Sequence, residues 1–296
     1  MKVYRSEKSK QKITETYDKL LAKWDTPLEE MDIKTYYGTT HIIVCGREQY
    51  PPLVLFHGVG DDSALMWIYN AKKLAEHFRI YAVDTMGGPG KSRPNANYTK
   101  AFDQAVWIDD IFDGLGLHRA YLAGVSNGAY ITQHYAILRP EKVIKAICLS
   151  GSAVSDEAGK SPLGRMLKVF LPEALFPTDR NVVRLIRKLM GADYKRFTEN
   201  PVIMEHYAGL LRGFNNMAMT YHKIKVFTPE QILSLKGKVL FLCGEKDPLG
   251  NKELTEEIMR KYQLDYRFFK DVGHGINHEI PDEINRIIIE YFSESK

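Results

Sequence analysis

Three things are scarce in this sequence: long apolar runs, cysteine, and an excess of charge of either sign. No apolar stretch approaches the roughly 18 residues of a membrane-spanning helix, so no span is expected. The opening residues MKVYRSEKSK hold no apolar core, so no secretory signal is expected either. The three cysteines are odd in number and follow neither a disulfide nor a metal-ligand spacing. Cys45, Cys148 and Cys243 each sit in an apolar, strand-like run (HIIVCG, KAICLSG, KVLFLCG), where a buried free thiol is the ordinary outcome. A reducing, cytoplasmic location is the expectation. The 41 basic and 37 acidic residues balance to +4, too even for a nucleic-acid footprint. Basic residues gather only in pairs such as Lys72-Lys73 and in the polar stretch from Lys2 to Lys12, which reads as a solvated helix face. Internal repeats and low-complexity tracts are also missing, and nothing suggests a scaffold protein or an oligomeric state.

What is present is enough apolar residue, 44% of 296, for one sizeable core. Strand-type runs cover Asp32–Tyr37, Thr40–Cys45, Leu53–Phe56, Arg79–Val83, Ala120–Leu122, Ile144–Leu149, Val239–Cys243 and Tyr266–Phe269. The central ones are almost wholly apolar, as strands covered on both faces are. Helix-period segments lie between them: Ser63–Phe78, Ala101–Gly114, Asn127–Arg139 and Glu253–Tyr262, with a last helix over Asp282–Phe292. Such alternation predicts an α/β fold, a mostly parallel sheet flanked by helices. The first two runs meet at Tyr37-Gly38-Thr39, which predicts a hairpin and an antiparallel start. A further helix, about Ser6–Trp24, precedes the first strand and is expected to pack on the outside of the sheet.

One stretch departs from the alternation. From 155 to 228 there is helical periodicity only, in GRMLKVF, NVVRLIRKLM and PVIMEHYAGLLRGF. More than seventy residues is too long for one crossover. The expected organisation is a core of residues 1–154 and 229–296 with a helical cap, 155–228, inserted after the sixth strand.

The strongest local signal is Gly124-Val125-Ser126-Asn127-Gly128, between the strand RAYLAG and the helix NGAYITQHYAIL. A serine on so sharp a strand-to-helix turn is lifted clear of the sheet, and the glycines make room for the turn. By composition alone a chance G-x-S-x-G turns up in roughly one chain in ten; the placement adds the specificity. The plain alternative for Ser126 is a helix N-cap.

Serine needs a base to act as a nucleophile, and that base needs an orienting acid. Of nine histidines, His274 in KDVGHGINHE follows a strand on a glycine-flanked loop before the last helix. His278, the nearest rival, falls toward the helix start, and His134 and His77 read as helix-surface or core residues. The acid expected is Asp247 in GEKDPLG, after KVLFLC, although Asp-Pro is also a helix-start signal. Glu245 competes with it, and Asp156 is a less favoured position. For a developing oxyanion, the backbone N–H groups of Asn127 and of Val59 in His57-Gly58-Val59-Gly60 are the candidates, with His57 shaping that loop.

Taken in order, HGVG, VDTMGGPGKS, GVSNG, GEKD and VGHG resemble the α/β-hydrolase superfamily from about Thr39 onward, the inserted helices excepted. The segments TYDKLLAKW, GTTHIIVCG, PPLVLFHG and YAVDTMGGPGKS further resemble bacterial carboxylesterases of the Bacillus NP type. That resemblance implies an α/β-hydrolase fold and hydrolysis of carboxylic esters, with the catalytic roles falling on Ser126, Asp247 and His274. Asn127 departs from the small, apolar, Gln or Met residues common there, which bears on pocket polarity and leaves its backbone donor intact.

The expected reaction is two-step acyl transfer through Ser126, with neither cofactor nor metal. An apolar small-molecule ester is the expected partner, with no nucleic acid and no membrane. Trp67, Met86, Phe170, Met204, Tyr207, Phe214 and Met217 are the candidate pocket residues, each with a plain core reading beside it. Carbon–carbon, lactone or thioester cleavage, perhydrolysis, and a non-catalytic binding module on the same fold stay open. A serine at the nucleophile position argues against dehalogenation, which in this fold uses a carboxylate.

Overall fold

The computed structural model describes residues 2–155, 163–171 and 173–293. Among them nine strands form one sheet: β1 (Leu28–Thr35), β2 (Gly38–Cys45), β3 (Pro52–Phe56), β4 (Arg79–Val83), β5 (Arg93–Pro94), β6 (Ala120–Val125), β7 (Val143–Leu149), β8 (Val239–Gly244) and β9 (Asp265–Phe269). Their order is β1-β2-β4-β3-β6-β7-β8-β9, and β5 pairs with β2. All pairings of β2 are antiparallel; those from β4 through β3, β6, β7 and β8 to β9 are parallel.

Thirteen α-helices accompany the sheet among the described residues: α1 (Glu7–Leu21), α2 (Ser63–Met66), α3 (Ala71–Leu74), α4 (Gln104–Gly114), α5 (Asn127–Leu138), α6 (Leu163–Phe170), α7 (Asp179–Leu189), α8 (Lys195–Thr198), α9 (Pro201–Gly213), α10 (Pro229–Leu233), α11 (Lys252–Lys261), α12 (Ile276–Glu279) and α13 (Pro281–Ser293). Strand alternation sorts the core into two layers. Leu53 and Leu55 of β3 pack with Trp67, Ile284 and Ile288 on one face. Val54 and Phe56 pack with Trp107, Ile131 and Ile258 on the other. This two-sided burial is why the central strands read as continuous apolar runs.

Four details depart from the sequence reading. The helix expected over Ser63–Phe78 is two short ones, α2 and α3. Every residue from Ser63 to Ile68 is buried, so packing from all sides overrides helical periodicity. The hairpin turn falls at Tyr36-Tyr37, because Thr35 pairs with Gly38. Gly38 has φ 143, and a Cβ there would strike the Arg93 carbonyl oxygen. The inserted helices follow the seventh strand rather than the sixth, since the two-residue β5, which ends in proline, has no sequence signal. Lastly, α1 finds its main partner in the insertion, where it packs on α9. Thr16 Oγ1 bonds His206 Nδ1 at 2.8 Å, and Lys12 and Lys19 both pair with Glu205. Ile13, Tyr17 and Leu20 form its buried stripe.

Candidate active site

The candidate residues come from loops at the carboxyl ends of β3, β6, β8 and β9, the edge where open α/β sheets bind ligands. Ser126 follows β6 and immediately precedes α5 at φ 57, ψ −114, a conformation that costs a non-glycine residue on the order of 1–3 kcal/mol. Its neighbours enforce the turn. A Cβ on Gly124 would collide with the Gly128 carbonyl, and one on Gly128 with the Phe56 carbonyl. The Ser126 N–H donates to Leu149 O at 2.8 Å, which anchors the turn to β7. The serine therefore stands at the positive end of α5, held by backbone on both sides.

His274 Nδ1 lies 2.8 Å from Asp247 Oδ2. A carboxylate accepts, so Nδ1 carries the proton and Nε2 is the open acceptor of the neutral ring. Burial works against charge on His274, yet the Asp247 carboxylate outweighs it and raises the imidazole above its usual 6.5. Burial likewise opposes charge on Asp247, while His274 and the Leu249 and Gly250 N–H groups hold it below the ordinary carboxylate value. The His274 loop is secured at both ends of its backbone: Ser150 Oγ donates to His274 O and His274 N–H donates to Leu189 O, each at 2.7 Å.

The rivals are otherwise engaged. His278 is buried against Tyr69 and Phe197, and burial pushes its imidazole down to about 3. Glu245 is paired with Lys252 at 2.6 Å. Asp156 lies outside the described residues.

The loop after β3 touches the serine: a Cβ on Gly58 would stand 3.4 Å from Ser126 Cβ. His57 fixes that loop. Its Nε2 accepts the Thr85 N–H at 2.8 Å, so its Nδ1 donates to Gly58 O, also at 2.8 Å. Both ring nitrogens of His57 are thus engaged in holding the loop. Val59 and Asn127 line the cavity beside Ser126.

That cavity holds about 600 Å³ and is bounded by Ser126, His274 and Asp247 on the body and by α6, α7 and α9 of the insertion. Phe170, Tyr207 and Phe214 line it. Trp67, Met86, Met204 and Met217 do not. Trp67 and Met86 are fully buried in opposite core layers. Met204 faces a separate groove between α1 and α9. Met217, on a 3₁₀ turn at Asn216–Met219, is 63% exposed. Residues that the sequence reading passed over take their place, among them Asp61, Met66, Tyr130 and Met190. Cys243 is also on the wall, but burial pushes its thiol up to about 12, so it is no nucleophile.

A strand–serine–helix turn, a carboxylate-paired histidine and a glycine-rich loop on one parallel sheet are the marks of one structural class, and the profile of the α/β-hydrolase-fold family matches residues 51–281. The chain belongs to that family. Within it, carboxylesterase YbfK of Bacillus subtilis is 27% identical over 283 residues, 94% of this chain and 92% of its own. The crystal structure of that protein, carboxylesterase CesB, has a TM-score of 0.82 over 96% of this chain and 98% of its own, at 26% identity. Naproxen esterase (carboxylesterase NP) from Bacillus subtilis superimposes with a TM-score of 0.84 over 97% and 99% of the two chains, also at 26% identity.

Proposed function

We propose that this chain is a carboxylic-ester hydrolase that works through an acyl-enzyme on Ser126. The observation that carries the reading is the His274 Nδ1–Asp247 Oδ2 contact on the wall of the cavity that Ser126 also lines. His274 Nε2 takes the Ser126 proton as Oγ attacks the ester carbonyl. The N–H groups of Val59 and Asn127 receive the oxyanion. The imidazolium then protonates the leaving alcohol, and water repeats the sequence to release the acid. Full-length similarity to Bacillus carboxylesterases supports the ester as substrate, and the apolar walls support an apolar one.

The helices from 155 to 228 serve as a cap over the strand ends, and the substrate is bound between cap and body. Three buried free thiols fit a reducing compartment, so we place the enzyme in the cytoplasm. Among the described residues no helix is long and apolar enough to cross a membrane.

The test is hydrolysis of p-nitrophenyl esters of graded acyl length by wild type and Ser126→Ala. Turnover that collapses in the variant supports the reading. A folded wild type that turns over none of them overturns it.

A further inference from the structure

Among the described residues six acidic, basic or imidazole side chains line the cavity, and four of them pair with one another. Asp247 is matched with His274 at 2.8 Å and Glu245 with Lys252 at 2.6 Å. His278 is neutral. Asp61 is the exception. Two residues beyond Val59, it lines the cavity with no basic partner among the described residues. Its Oδ1 accepts the Asp62 N–H at 2.8 Å, which leaves the second oxygen for something else.

The adjacent Asp62 shows what a structural carboxyl looks like in the same loop. Its Oδ1 accepts the Leu65 N–H at 3.1 Å and caps α2, and its Oδ2 meets His206 Nε2 at 2.7 Å. Asp62 is spent on holding α2 and α9; Asp61 is not. Next to His206 on α9 stands Tyr207, which also lines the cavity and feels the Asp61 charge. A carboxyl and a phenol thus share the cavity with apolar side chains such as Leu210, Leu211 and Phe214. An unpaired carboxyl in such surroundings is costly unless a bound group completes its hydrogen bonding.

We propose that Asp61, together with Tyr207, binds a basic amino group carried by the ester, so that the preferred substrates are apolar esters bearing an amine. This rests on the esterase reading for its chemistry, and it makes Asp61 the residue that sets specificity. Burial, then the neighbouring Asp62 charge, raises the Asp61 carboxyl well above its usual value. An ammonium group on the substrate pairs with the Asp61 carboxylate through a charge-assisted hydrogen bond.

The experiment compares p-nitrophenyl ω-(dimethylamino)hexanoate with its isononanoate isostere, in which CH replaces nitrogen. Wild type is expected to favour the amine in kcat/KM by about ten-fold or more, as one charge-assisted hydrogen bond provides. Asp61→Asn, which keeps the Asp62 N–H acceptor, brings the ratio to about one, and Tyr207→Phe narrows it in the same direction. Calorimetric binding of N,N-dimethylhexylamine gives a readout independent of turnover and is expected to weaken by a similar factor in Asp61→Asn. Equal or reversed preference in wild type, with amine binding unaffected by either variant, overturns the amine subsite and leaves the esterase intact. Amine binding that depends on Asp61 in a protein that turns over neither ester upholds the subsite and sinks the esterase.

Discussion

The backbone N–H of His274 donates to the carbonyl oxygen of Leu189 at 2.7 Å, so the last turn of α7 and the loop carrying the imidazole are joined directly. Ala192 N–H to Asp271 O at 3.0 Å adds a second backbone link. Glu279 closes the junction, accepting Gly191 N–H at 2.7 Å and Gly273 N–H at 2.9 Å. Both glycines are forced by the close approach: a Cβ on Gly191 would meet the Asp271 carbonyl oxygen, and one on Gly273 the Leu189 carbonyl oxygen. The inserted helices are thus welded to the His274 loop on this side, while the α1–α9 contacts tie them down on another.

Glu279 makes that weld pH-sensitive. Burial raises its carboxyl to about 7, although the two N–H donors favour the ionised form. A folded-state value above the unfolded one means the stabilisation is complete below about pH 4.5 and is lost as pH rises through 7. The full loss is on the order of 3 kcal/mol. Glu279→Gln cannot ionise, so wild-type stability should fall relative to the variant across this window. Urea unfolding at acid and neutral pH measures it; parallel stability curves for the two proteins would refute the assignment.

Ser126 pays a conformational cost that glycine would not. At φ 57, ψ −114 the residue sits where a Cβ is unwelcome. Ser126→Ala keeps the Cβ and loses the hydroxyl; Ser126→Gly loses both. Both variants should be inactive, and the glycine variant should be the more stable by about 1 kcal/mol or more. Thermal unfolding of the pair isolates the backbone effect. An alanine variant equal to or more stable than the glycine one would mean the elbow is unstrained.

The cavity wall makes a third prediction. Phe170 is on it, whereas Met217 points to solvent. Phe170→Ala should move the best acyl chain to greater length, each further buried CH₂ being worth about 0.8 kcal/mol. Met217→Ala should leave the chain-length profile where it was. The readout is kcat/KM across a homologous ester series. A profile that moves with Met217 and not with Phe170 would contradict the wall as described.

Legibility of the site followed locality. Ser126, Asp247 and His274 each sit just past a strand with a strong local pattern, and order along the chain was enough to group them. The pocket depends instead on which face of each inserted helix meets the body, and that is decided by partners far away in sequence. Met204 was a reasonable apolar candidate until α1 occupied the other side of α9. Trp67 and Met86 sit near loop ends, but both belong to the core layers. Asp61 did leave a trace. In HGVGDD two acids precede a helix that can use only one as its cap, which leaves the other for a different task.

The last prediction concerns the histidine itself. A general base acts only when neutral, so activity should rise with pH along an acid limb set by His274. The Asp247 carboxylate raises that imidazole, so in wild type the limb lies above pH 6.5. Asp247→Asn keeps the shape and removes the charge. The opposing effect, burial, then dominates and the limb should move to lower pH. The plateau should also fall by about 10⁴, because a neutral amide no longer enforces the tautomer that leaves Nε2 free. The two effects separate cleanly in a kcat/KM profile: a displaced limb reports the charge, and a lowered plateau reports orientation. If the plateau falls and the limb stays, Asp247 orients His274 without setting its protonation. If neither changes, another acid holds the base, and the 2.8 Å contact plays no part in turnover.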